Sequence, residues 1–196
     1  MRNARAGFTL VELLAVIAVI TILITLSVRG LRNDFSMQLS NAGDQVTQLA
    51  HQAKQLARAH RSLTAFFVVR DAGDPDKDCR LMGILEMLPG ASQWRMVSRW
   101  EALPVSIRID PDKSDGLDQS PAPKVAFPTL TRGTQTIPAS KYICQVFLPS
   151  GELLQSAPAP SIYLYIAHGK SDNFYRVVLS NATGNSFIER PGGGGS

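Results

Sequence analysis

Residues 7–12 read Gly7-Phe8-Thr9-Leu10-Val11-Glu12, and they straddle a sharp boundary in the chain. Ahead of them, MRNARAG is short, carries Arg2 and Arg5 and contains no acidic residue. Behind them the chain turns apolar: residues 8–26, FTLVELLAVIAVITILITL, hold 15 apolar side chains in 19 positions. Coiled as a helix, this run rises about 28 Å at ~1.5 Å per residue, which matches a bilayer core of about 30 Å. No other segment of the 196 residues approaches it, so the sequence predicts one membrane span, over residues 8–28. The arginines ahead of the span predict a cytoplasmic N-terminus and an exported remainder.

A secretory signal has a shorter apolar region, about 7–15 residues, closed by a small-residue cleavage site. Here the run is longer, and Ser27, Val28 and Arg29 follow it. The small residue, Gly7, precedes it instead. Glu12 is the second departure from a plain anchor. A carboxylate within a span costs on the order of 2–3 kcal/mol at the centre and less near an end. A passive anchor would lose nothing with leucine there, so Glu12 implies a positively charged partner in the membrane.

Taken together, Gly7-Phe8-Thr9-Leu10-Val11-Glu12 resembles the prepilin peptidase motif of type IV pilins and type II secretion pseudopilins. The resemblance implies cleavage between Gly7 and Phe8 by a prepilin peptidase and N-methylation of Phe8. It also implies that Glu12 pairs with the N-terminal amine of a neighbouring subunit during assembly. The physics is consistent: a carboxylate and an ammonium are each costly when buried alone and much less so together. Implied partners are the peptidase, other pilin or pseudopilin subunits and inner-membrane lipid.

Beyond the span the helical pattern continues. All 12 prolines lie from Pro75 onward. Phe35, Leu39, Ala42, Val46, Leu49, Ala53, Leu56 and His60 recur at spacings of three and four, one stripe of an amphipathic helix. The sequence therefore predicts an N-terminal helix over residues 8–61, with Gly30 and Gly43 as soft points.

From Ser62 the pattern becomes extended. Strands are predicted at residues 64–70, 81–88, 93–100, 105–110, 142–148, 162–167, 174–180 and 186–189, separated by turns such as Pro89-Gly90 and Pro149-Ser150-Gly151. Short strands with frequent Gly and Pro indicate an antiparallel sheet or two packed sheets. The fold class is α+β: a long helix, its second half packed on a β-rich domain of residues 62–190. Residues 191–196, PGGGGS, read as a flexible tail. The stretches VSRWEALPVSIRID, FLPSGEL and FYRVVLSNATGNSFI resemble the H-type minor pseudopilins and their FimT-type pilin relatives. They also resemble the pseudopilin-like proteins called Verru_Chthon cassette protein D. The polar stretch 110–124 is not part of that pattern.

Other chemistry finds little footing. Without the leader, 18 basic face 16 acidic residues, and no stretch interleaves Lys and Arg with aromatics, which argues against a nucleic-acid partner. The FimT-type resemblance implies the alternative of a DNA-binding minor pilin, with Lys141, Lys170, Arg176 and Arg190 as candidates. Cys79 and Cys144 have no metal-type spacing. In an oxidising compartment they either pair or remain two buried thiols. Asp110, Asp112, Asp115 and Asp118 outline a calcium loop but lack the spacing and distal glutamate of an EF-hand. His51, His60 and His168 form no ligand cluster, and Ser150 lies in no nucleophile elbow. No catalytic residue and no cofactor are expected; a tethered periplasmic enzyme is the other alternative. The reading is a single-pass inner-membrane protein of bacteria with a periplasmic domain: a minor pseudopilin of a type II secretion or type IV pilus-like filament.

Overall fold

The computed structural model describes residues 10–70, 78–115, 117, 128–138, 141–154, 160–166 and 174–189; within these, the side chains of residues 25–36, Gln135 and Ile166 fall outside the description. A single helix, α1 (Leu10–His60), begins the described chain. The molecule divides into two compact units, residues 1–37 and 38–196.

In the first unit, the described side chains of α1 from Leu10 to Ile24 are all exposed, 11 of them Leu, Ile or Val. Among the described residues no helix is long and apolar enough to cross a membrane.

In the second unit α1 buries Leu39, Ala42, Val46, Leu49, Ala50, Ala53 and Ala57. Five of the eight predicted stripe residues are in that set. Leu56 is partly buried, Phe35 lies outside the side-chain description, and His60 is largely exposed. Small residues dominate this face, so the backbone of α1 approaches the sheets closely. The helix ends as Arg61 turns to φ 50°, which lets Ser62 N–H bond Ala57 C=O at 3.0 Å. This is a Schellman closure with arginine where glycine is usual.

The strands are all antiparallel. The first sheet is built from β1 (Leu63–Val69), β2 (Leu81–Met87), β3 (Arg95–Met96), β4 (Glu101–Ala102) and β8 (Tyr142–Phe147). Its order is β3-β2-β1-β8, with β4 also on β2. The second is β11-β10-β9-β5, from β5 (Ile107–Ile109), β9 (Ser161–Ile166), β10 (Phe174–Leu179) and β11 (Ser186–Glu189). A small hairpin, β6 (Leu130–Arg132) and β7 (Gln135–Ile137), stands apart. The fold is α+β, a helix packed on antiparallel sheets.

Two cores follow from strand alternation. Phe66, Val68, Met82, Ile84, Ile143 and Phe147 of the first sheet share one cluster with α1 and with Ile107, Ile162, Leu164, Tyr175, Val177 and Leu179 of the second. The opposite face of the first sheet, with Phe67, Val69, Leu85, Cys144 and Val146, is covered by Trp94 and by Leu130 and Ile137 of the β6–β7 hairpin. Tyr142 Oη donates to Ile137 C=O (2.8 Å) and accepts from Leu130 N–H (3.2 Å), fastening the hairpin to β8. The predicted strand at 93–100 is corrected to the two-residue β3, with β4 following at Glu101–Ala102. Ser98 interrupts the ladder there, because its Oγ, not a backbone carbonyl, takes the N–H of Ile84 (2.8 Å).

Candidate functional site

The leader and the cleavage pair Gly7 and Phe8 lie outside the described residues, as do Asp118, His168, Lys170, Arg190 and the glycine-rich tail. Glu12 lies in the first turn of the described helix α1. It is flanked on the helix by exposed Leu10, Val11, Leu13 and Leu14. These exposed Leu, Ile and Val side chains form a row of large apolar surface on α1. Each is worth about 1.5–3 kcal/mol when buried, so the segment is built to be covered by lipid or by other helices.

The described part of the acidic stretch, Asp110 to Asp115, plugs a sheet edge. Asp110 N–H bonds Tyr163 C=O (2.8 Å), continuing the β5–β9 ladder by one residue. The chain then turns, with Asp110 Oδ1 accepting the N–H groups of Asp112 (3.1 Å) and Lys113 (3.3 Å). Ser114 Oγ inserts into the ladder: it accepts from Tyr163 N–H (2.9 Å) and donates to Asp110 C=O (2.5 Å). Asp115 Oδ1 accepts both the N–H (2.8 Å) and the Oγ–H (2.7 Å) of Ser161. Asp112 reaches Arg70 instead, 3.4 Å away and exposed. The carboxylates thus serve separate protein donors, and no group of three metal-ligating side chains occurs among the described residues.

Cys79 and Cys144 are not bridged to one another. The two thiols lie in different cores. Cys79 belongs to the core on the α1 side and Cys144 to the core under the β6–β7 hairpin, so the sheet separates them. Burial, then the charge and hydrogen bond of Asp78, push the Cys79 thiol up to about 12, so it stays protonated and unreactive at neutral pH.

Of the basic candidates, Lys141 and Arg176 lie among the described residues. Arg176 donates to Glu189 (3.2 Å), its cross-strand neighbour on β11. Lys113 lies 3.4 Å from Asp110 and 5.0 Å from the centre of the Tyr163 ring, which stacks on Phe174 at 4.7 Å. Lys113, Tyr163, Phe174, Arg176 and Glu189 line a cleft of about 340 Å³ together with Asp115 and Ser161. His51 lies on α1, apart from His60.

Sequence reasoning missed Glu86. Its carboxylate is fully buried on β2 and gathers three donors: His60 Nδ1 (2.6 Å), Ser62 Oγ (2.8 Å) and Arg95 Nη2 (2.9 Å). Burial alone would raise its pKa. The hydrogen bonds from Arg95, His60 and Ser62 outweigh it and hold the carboxyl below the usual glutamate value. The cluster ties the C-terminal end of α1 to β2 and β3. An acidic residue within the apolar stretch LMGILEM was the available signal.

Residues 2–28 match the prokaryotic N-terminal methylation motif. Behind that motif the described chain is a helix packed on antiparallel sheets. No curated protein sequence matches it. Among solved structures, the chain is similar to the minor pseudopilin EpsH from the type 2 secretion system of Vibrio cholerae. The identity is 14% and the TM-score 0.47, over 79% of this chain and 98% of that one. It is also similar to the type IV minor pilin FimU of Pseudomonas aeruginosa. There the identity is 15% and the TM-score 0.49, over 82% of this chain and 91% of that one. At these values the functional reading rests on the motif and on this chain's own geometry.

Proposed function

We infer that the protein is a minor pseudopilin or pilin: a non-catalytic subunit of a pilus-like filament, anchored in the inner membrane before assembly. The observation that carries this is the methylation motif at residues 2–28, continuous with a helix whose described side chains from Leu10 to Ile24 are exposed and almost wholly apolar. A prepilin peptidase cuts between Gly7 and Phe8, and Phe8 is methylated. The segment 8–28 spans the membrane with the leader in the cytoplasm and the β-domain in the periplasm. On assembly, lipid around α1 is exchanged for the helices of neighbouring subunits, and Glu12 meets a neighbour's new amine. The β-domain supports this role by holding the second half of α1 on a small-residue face.

The test is co-expression with a prepilin peptidase followed by mass spectrometry of the N-terminus. A mature chain that begins with N-methylated Phe8 is expected. An N-terminus beyond residue 20 overturns the reading in favour of a secretory signal.

A further inference from the structure

The last turn of α1 is held to the domain by polar bonds rather than by packing. Apolar burial along the helix stops at Ala57, and Arg58, Ala59, His60 and Arg61 are all exposed. Arg61 also sits at φ 50°, a left-handed conformation that disfavours a residue with a Cβ. Burial resumes at Ser62. Just beyond it, Thr64 Oγ1 donates to Ala53 C=O (2.7 Å) and ties the start of β1 back to the helix. Between Ala57 and that bond, residues 58–62 have little apolar surface to keep them in place.

Their side-chain bonds converge on one carboxylate. His60 from α1 and Ser62 from the link to β1 both reach Glu86 Oε1, and Arg95 of β3 reaches Oε2. Arg95 is also the cross-strand partner of Glu86 in the β2–β3 register. On β1, Thr64 lies opposite Glu86 but gives its hydroxyl to the helix. Glu86 is fully buried, whereas the side chains of His60 and Arg95 are 47% and 58% exposed. The two cationic groups can therefore swing into water, and the carboxylate cannot. In acid an imidazole has ordinarily taken up its proton, so a neutral Glu86 would leave two positive charges facing one another. Strand β3 has other anchors, since Trp94 and Met96 pack in the second core. The helix end has no equivalent.

We propose that Glu86 is an acid-released latch: when its carboxylate is neutralised, residues 58–62 come away from β2 while the rest of the β-domain stays folded. Buried Ala57 bounds the opening on one side and the Thr64–Ala53 bond bounds it on the other. A short segment with few buried apolar contacts opens at a lower free energy than the domain as a whole. The bonds from Arg95, His60 and Ser62 hold the carboxyl below its usual 4.5. The latch is therefore closed above about pH 4.5 and opens as pH falls through the lowered value. It belongs to the single chain and stands whether or not the protein assembles into a filament.

The test is hydrogen exchange read by mass spectrometry on the detergent-solubilised full chain, in steps from about pH 6 to about pH 2.5, with rates corrected for the pH dependence of an unstructured chain. The amides of residues 58–62 should lose about tenfold of their protection on the way down, while those of residues 65–69 in β1 keep theirs. Glu86→Gln, neutral at every pH, should show the fast exchange of residues 58–62 already at about pH 6, with no further step. His60→Ala removes the tie from the helix side and leaves Glu86 with Arg95 and Ser62, so it serves where Glu86→Gln does not fold; it too should expose residues 58–62 at neutral pH. The proposal is overturned if residues 58–62 and 65–69 lose protection together in the wild type, or if residues 58–62 stay protected to the lowest pH. It is equally overturned if a folded Glu86→Gln or His60→Ala chain keeps the wild-type step.

Discussion

Gly43 of α1 lies face to face with the ring of Tyr175 on β10, so close that a Cβ at residue 43 would collide with the ring carbons Cδ1 and Cε1. The phenol tip is anchored to the same helix, with Tyr175 Oη 3.4 Å from Ser40 Oγ. Gly43 thus lets a buried aromatic reach the helix backbone, and it is not a hinge.

Gly43→Ala is expected to destabilise the β-domain although alanine is the better helix former. The propensity gain is about 1 kcal/mol, whereas forcing a methyl against a packed ring costs about 1–3 kcal/mol. Tyr175→Leu in the same background should recover part of the loss. Urea unfolding of the single and double variants measures it; additive effects would show that the two residues do not share this contact.

The stripe Leu39, Ala42, Val46, Leu49 and Ala53 was legible because burial on a helix repeats every three to four residues. The long strands were legible from runs such as TAFFVV. The role of Gly43 was not, because a propensity scale sees the missing side chain and not the ring that needs the space. Strands β6 and β7 have three residues each, too few for a period to register, and they owe their place to Tyr142, a residue outside the hairpin. The part Asp115 plays was not legible for a related reason. Composition supplied oxygen ligands, but Asp115 is committed to Ser161, 46 residues later, and such a pairing leaves no local trace.

Asp115→Ala should cost about 1–3 kcal/mol, the penalty for stranding the buried N–H and hydroxyl of Ser161. Millimolar calcium should leave the melting temperature of the wild type unchanged, since a bound ion would add stability in proportion to the logarithm of its concentration over Kd. A calcium-dependent rise of several degrees would restore the metal-loop reading.

Cys79 and Cys144 predict a redox-insensitive domain. Reducing agent should not change the melting temperature, and a thiol reagent should label both residues only after unfolding. A bridge recovered by non-reducing mass spectrometry would sink this prediction, because the sheet would have to open for the two thiols to meet.

Glu12→Leu tests the assembly role of the helix. Membrane insertion, cleavage after Gly7 and the stability of the β-domain should all survive, since the change removes the one charge in the apolar run. Cross-linking to neighbouring subunits through α1 should fall more than a hundredfold if a buried charge pair is lost, at a typical cost of about 3–5 kcal/mol. Equal cross-linking of the two proteins would mean that helix packing alone drives assembly.

Glu86 predicts how the domain responds to acid. Its folded-state pKa is held below the usual value of 4.5, so the folded state binds its proton less readily than the unfolded one. The stabilisation is therefore complete above about pH 4.5 and is lost as pH falls through the lowered folded value. Glu86→Gln keeps the shape and can still accept from Ser62, but it gives up the charge-assisted bonds to Arg95 and His60. At pH 7 the variant should be less stable by about 1–3 kcal/mol. Its stability should also fall less steeply between pH 5 and pH 2 (roughly the range over which a carboxylate with a depressed pKa titrates), so that the two curves converge in acid. Urea unfolding across that range reads both effects. Parallel curves would show that the Glu86 proton is not linked to folding, and the three hydrogen bonds at the end of α1 would then contribute geometry without pH-dependent stability.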